Sequence, residues 1–204
     1  RAAVDEAHRR GLKVTGHLCS VTYREAADIG IDNLEHGFVA ATDYVRTKRP
    51  DICPGGGTQL LAAMDPATDT IAQSIIRTLV QRNVAVTSTL AIFESFTPGR
   101  PATPQNVLDA MSPDARLSYL RTRAATAVNS SSPYAKAFPN AMKLERMFVD
   151  AGGLLVAGTD PTGYGGVLPG YGSLRQLELL VEAGFTPVQA IRIASLNSAT
   201  YLGP

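Results

Sequence analysis

The sequence predicts an α/β fold with a parallel sheet, of the (β/α)8 TIM-barrel type. Three features carry that reading. A helix, a turn residue, a short β-branched run and a terminal polar residue recur four times along the chain. The 204 residues are 45% hydrophobic and 18% charged with net charge +1, a balance that suits one compact unit and excludes wholesale disorder. The four runs end in His17, His36, Thr89 and Asp160. Those are equivalent carboxyl-terminal positions, where barrel enzymes assemble their active sites.

The first unit is a helix over 1–10, then Gly11, then a strand over 12–17. The second is a helix over 23–29, Gly30 and a strand over 31–36. The third is a helix over 70–82, Asn83 and a strand over 84–89. The fourth is a helix over 141–150, Ala151-Gly152-Gly153 and a strand over 154–160. Gly or Asn directly after a helix favours a left-handed backbone that ends it. The runs that follow are short and mostly apolar, as buried parallel strands are.

Local signals support the helices. Ile71, Ile75 and Leu79 recur along one face, with Ile76 and Val80 beside them, and Thr68 or Asp69 caps the start. Ser112-Pro113 opens a helix that runs towards Val128, and Thr186-Pro187 opens another over 188–195. Ser173 is positioned to cap a helix over 174–183 that stops at Gly184. Two stretches, 38–66 with Gly55-Gly56-Gly57 and 97–104 with three prolines, read as long loops after the second and third strands. Further helical segments fall between Pro104 and Val128.

Several classes are excluded. No run of about 18 apolar residues is present to span a membrane. A net charge of +1 gives no electrostatic case for nucleic acid. Two cysteines, Cys19 and Cys53, make no disulfide framework and are expected as free thiols packed as small hydrophobes. There is no Gly-x-Ser-x-Gly elbow, and Ser130-Ser131-Ser132 reads as a loop cluster. The arginines from Arg116 to Arg123 read as a solvated helix face.

The expected metal ligands are His17, His36 and Asp160, with Asp160 also the catalytic base. Adjacent parallel strands lie about 4.8 Å apart, so side chains at matching heights can share one ion. Neutral imidazole suits zinc, and a nearby carboxylate can take a proton from metal-bound water. The third histidine, His8, sits among charges on a surface helix. Glu35 precedes His36 and should face away from it. Thr89 and Tyr164 are candidate substrate contacts, and Tyr23, Glu94 and Tyr171 share the same loops. Gly163-Tyr164-Gly165-Gly166 admits a phosphate-binding reading.

Val14-Thr15-Gly16-His17, Leu34-Glu35-His36-Gly37 and Ala157-Gly158-Thr159-Asp160-Pro161 resemble strands 5, 6 and 8 of the amidohydrolase superfamily. The similarity is nearest its imidazolonepropionase-like and Xaa-Pro dipeptidase-like branches. Val86-Thr87-Ser88-Thr89-Leu90 resembles strand 7, and Ser195-Leu196-Asn197-Ser198-Ala199 resembles the "T-x-N-x-A" helix, with serine for threonine.

The resemblance implies that residues 1–204 form the C-terminal half of a metal-dependent amidohydrolase barrel domain. It implies hydrolysis of an amide or cyclic-amide C–N bond, with one or two divalent ions, zinc foremost, in the complete barrel. His17 and His36 would be metal ligands, and Asp160 both a ligand and the acceptor of the water proton. The family's strand 1 His-x-His pair and strand 4 lysine have no counterpart in this chain. A half-barrel exposes two sheet edges, so pairing with the missing half or homo-oligomerisation is expected. The alternatives are a non-catalytic half-barrel that forms part of an assembly and a phosphate-binding barrel half. The expected partner is a small amide or dipeptide-like substrate, with no nucleic acid and no membrane. A soluble, cytoplasmic protein is the default expectation, since an export signal would precede Arg1.

Overall fold

The computed structural model describes residues 1–161 and 166–203. Four strands, β1 (Thr15–Gly16), β2 (Asn33–Glu35), β3 (Ala85–Ser88) and β4 (Leu155–Ala157), pair in parallel in the order β1-β2-β3-β4. The α/β class and the four strands are as the sequence predicts. The half-barrel is not. The described residues form a small open sheet in which β1 pairs with β2 and β4 with β3. These strands are only two to four residues long, so they make a small parallel sheet and not half of a barrel wall. The C-terminal helix engages both ends of the sheet instead. Asn197 Nδ2 donates to the Leu155 carbonyl of β4 at 2.9 Å, and Lys13, just before β1, donates to the Tyr201 carbonyl and lies over its ring.

Strand alternation explains what the sheet buries. Leu34, Val86 and Leu155 are paired in register and each is fully buried. They meet a helical layer that includes α2 (Tyr23–Asp28), α4 (Thr70–Gln81) and α8 (Tyr134–Asp150). That layer contributes Tyr23, Ile75, Leu79, Leu144 and Phe148 to one core. The other face is polar. Asn33 Nδ2 donates to Thr15 Oγ1, Thr87 Oγ1 and Glu35 Oε1, and Thr15 Oγ1 also donates to Glu35 Oε1. The strands are therefore two-faced rather than apolar throughout.

Helix ends follow the sequence signals closely. α1 (Ala2–Arg9), α2 and α4 are followed by Gly11, Gly30 and Asn83, each with positive φ. Asp69 caps α4 by accepting from Ala72 N. Ser112 caps α7 (Pro113–Ala127), and Thr186 forms a capping box on α10 (Pro187–Ala194). α6 (Gln105–Ala110) lies in the expected helical region, and α11 (Leu196–Leu202) occupies the Asn197 segment.

Four departures stand out. α3 (Gly57–Ala63) and α5 (Leu90–Ser95) form where loop and strand end were expected. Gly56, with φ +86°, starts α3, and buried Leu61 anchors it. α8 begins seven residues before 141 and runs through Pro139. An internal proline costs roughly 3 kcal/mol, and burial of Ala137, Phe138, Ala141, Leu144 and Phe148 on this helix offsets it. α9 (Tyr171–Glu182) starts after Gly170, so Ser173 lies inside it rather than at its cap.

Cys19 and Cys53 are joined in a disulfide with their Cα atoms 4.9 Å apart, not free as expected. The segment between them, at a sequence separation of 34, carries β2 and part of the long connection, so neither thiol is open to a ligand role. Pairing was hidden because only folding brings the two loops together. Among the described residues no helix is long and apolar enough to cross a membrane.

Candidate functional site at the carboxyl ends of the strands

His17, His36 and Thr89 each follow the last residue of a strand, and Asp160 lies three residues beyond β4. The sheet brings these side chains together around His36. The rings of His17 and His36 meet edge to face with centroids 4.3 Å apart. His36 Nδ1 is 2.9 Å from Thr89 Oγ1 and 3.7 Å from Asp160 Oδ2. Phe93, on α5, packs edge-on against the same ring. His17 is exposed, His36 is 9% exposed, and the Asp160 side chain is 29% exposed.

The backbone turns sharply at two of these residues. His36 has φ +72° and Asp160 φ +46°, both in the left-handed region. Such conformations cost an ordinary residue about 1–3 kcal/mol and concentrate at functional sites. Two tyrosine contacts help hold the turn after β2. The fully buried Tyr23 hydroxyl shares its proton between the carbonyls of Glu35, at 2.8 Å, and Gly37, at 2.9 Å. Tyr23 is itself fixed by the buried carboxylate of Asp43, which accepts from Tyr23 N, Arg24 N and Arg24 Nε. Asp43 was not legible as a support because it lies in the long connection after β2.

Burial is the main force on the His36 ring and pushes its pKa below the ordinary value. The neighbouring His17 acts in the same direction, while Asp160 and Glu35 oppose it. The imidazole is therefore held neutral, the form that ligates metals and accepts protons. Its Nδ1 is committed to Thr89, which fixes ring orientation.

Each expected site residue has a definite place. Thr89 is 3% exposed and contacts the imidazole. Glu35 lies on the polar sheet face, where Asn33 Nδ2 donates to its Oε1. His8 is a surface residue that pairs with Asp32 at 2.9 Å. Glu94 and Tyr171 line a separate cavity. Tyr164 and most of the Gly163–Gly166 segment lie outside the described residues. Arg123 is buried rather than solvated.

Two imidazoles and a carboxylate are donor types that zinc accepts. Among the described residues, however, no group of three or more His, Cys, Asp or Glu side chains is arranged to hold a metal ion. The set fits a divalent ion in kind and falls short of a complete site in arrangement.

No family model matches the chain, and no curated protein matches it in sequence. Among solved structures, bottromycin amidohydrolase is similar at 20% identity with a TM-score of 0.68. The match covers 99% of this chain and 43% of that one, so this chain spans less than half of that protein's length. At this identity the likeness is one of fold.

Proposed function

We propose that this chain carries part of the catalytic centre of a hydrolase that cleaves an amide or cyclic-amide C–N bond. The observation that supports this is the paired imidazoles of His17 and His36 at the sheet's carboxyl end, with Asp160 alongside. His17 and His36 would hold a divalent ion, zinc by donor preference, with Asp160 beside it. Such an ion, when bound, lowers the pKa of water and polarises the scissile carbonyl.

The chain's own residues supply the rest. Thr89 holds the His36 ring in one orientation. Asp160 is partly exposed at the mouth, so its carboxylate can take a proton from the attacking water. The water oxygen then bonds to the carbonyl carbon, the C–N bond breaks, and Asp160 returns the proton to the departing nitrogen. Proline dipeptides, N-acyl amino acids, imidazolones and lactam-like rings all offer such a bond.

The test is amine release from a panel of N-acyl amino acids and dipeptides, with metal content of the same preparations measured by elemental analysis. His17→Ala should lower bound metal, and Asp160→Asn should lower kcat at least about 100-fold. Full activity in both variants would refute the proposal.

A second reading is an interaction unit. Val188 is 76% exposed, Ile191 58%, Leu196 55% and Leu202 74%, all on the last two helices. Apolar exposure of that kind marks contact surfaces. Sedimentation showing a monomer across a wide concentration range would dismiss self-association.

A further inference from the structure

We propose that the cavity between α5 and α9 is a binding site for a small organic carboxylate with an apolar body. Its volume is about 370 Å³, within the usual range for ligand sites. Apolar walls come from Val107, Tyr119, Val167 and Leu168, of which Val107, Tyr119 and Leu168 belong to a small cluster separate from the main core. α5 begins directly after Thr89, and Gly172 of α9 lies close to Thr159, next to Asp160. The cavity thus shares its supporting elements with the strand-end site, but the inference stands without any assignment to that site.

The charge distribution selects the ligand. Arg123 lines the cavity and is 6% exposed. Its Nη1 donates to the carbonyls of Ser95, at 2.7 Å, and Glu94, at 3.5 Å, and its Nη2 to the Arg100 carbonyl at 2.9 Å. Among the described residues no carboxylate pairs with it. Carbonyl dipoles orient a guanidinium without neutralising it, and an unpaired buried charge is costly. Arg is charged at any physiological pH.

The nearby carboxylates are already engaged. Glu94 accepts from both Arg100 and Arg175, Glu182 from the same two, and Glu178 from Arg175. Glu178 and Glu182 side chains are 63% and 39% exposed, so water screens them. Arg100 and Arg175 are partly exposed and paired with Glu94, Glu178 and Glu182, so Arg123 is the buried guanidinium of the set without a carboxylate among the described residues. A carboxylate entering the cavity would pair with Arg123 while its apolar body meets Val107 and Leu168. Two parallel N–H groups on a planar fork also match carboxylate geometry.

The probes are 4-phenylbutyrate and its neutral isostere 4-phenylbutyramide, with binding followed by calorimetry and thermal shift on the intact chain at low salt. The acid should bind at least about tenfold more tightly than the amide and raise Tm. Ala102→Trp, at the exposed rim, should block the cavity and abolish binding of the acid without unfolding the chain. Arg123→Met, where it folds, should equalise the two probes. Equal binding of acid and amide, undiminished binding to Ala102→Trp, or no binding of the acid at millimolar concentration would each overturn the proposal.

Discussion

Glu145 should make the fold weaken as pH rises from acid to mildly basic, and Glu145→Gln should remove that weakness. The side chain is 1% exposed, on α8 beneath β3. Its Oε2 accepts from Ser88 Oγ at 2.7 Å, and Ser88 Oγ accepts from Gln176 Nε2 at 2.8 Å. Gln176 Oε1 in turn accepts from Ala91 N at 2.9 Å, so the chain of bonds ties α8, β3, α5 and α9 together. Burial raises the Glu145 pKa from 4.5 to about 8, with the Ser88 bond opposing the shift.

The sign follows from the proton count. Below 4.5 both the folded and unfolded chains carry the proton, so the stability tied to this group is fully present. Between 4.5 and about 8 only the folded chain keeps it. In that window stability falls by about 1.4 kcal/mol per pH unit, and above it the slope vanishes. An amide keeps an oxygen to accept from Ser88 and never ionises. The gap in urea stability between Glu145→Gln and the parent chain should therefore widen in the variant's favour from pH 5 to pH 8, by several kcal/mol in all. Urea titrations at four pH values in that window measure it. Parallel curves for the two proteins, or a gap that narrows with pH, would refute the reasoning.

Three further outcomes follow from the packing. Removing the disulfide by Cys19→Ser with Cys53→Ser should cost about 4 kcal/mol by loop-closure entropy over the 34-residue separation. At a urea slope of about 2–3 kcal/mol/M the midpoint should drop by about 1.5 M, and a drop below about 0.3 M would contradict that account. Gly37→Ala should lower stability by about 3 kcal/mol or more, read as a fall in Tm. Gly37 has φ +58°, and an added Cβ would overlap the buried Glu145 carboxyl. Thr89→Val should leave the fold within about 1.5 kcal/mol of the parent while freeing the His36 ring, visible as broadened imidazole NMR signals. Unchanged signals would show that Thr89 does not hold the ring.

The elements most legible in the sequence were those whose information is local. Asn83, Ser112 and Thr186 announce helix ends through their own backbone or side-chain chemistry, and each stands where that chemistry requires. The strand-end positions of His17 and His36 followed from the same repeated unit, whereas Asp160, expected to end its strand, lies three residues past it. What escaped depends on distant partners. The Cys19–Cys53 bond, the Asp43 support beneath Tyr23 and the helix through Pro139 exist because other segments arrive beside them. Arg123 escaped for the same reason. Within α7 it resembles its solvated neighbours, and only the carbonyls of Glu94, Ser95 and Arg100 turn it inward. The half-barrel expectation failed because four alternating units encode parallel strands without encoding the size of the sheet that they form.

The site's mechanical logic is the link between these two kinds of information. A strand ending in an extended residue would carry the His36 side chain onward along the sheet face. The left-handed turn at His36 breaks that course, and the chain accepts the strain only because several contacts fix it at once. Gly37 N donates to the Thr87 carbonyl at 2.8 Å, Tyr23 binds the carbonyls on either side of His36, and Thr89 fixes the ring. Two of those contacts come from the neighbouring β3 segment and one from α2. The same β3 segment reaches Glu145 through Ser88, on the opposite side of the sheet from Thr87. Ionising Glu145 would thus disturb the strand that holds His36 without touching the imidazole. Ser88 bonds the buried Glu145 carboxyl and the next residue, Thr89, bonds the His36 ring, so adjacent residues of one segment join the core to the geometry of the site.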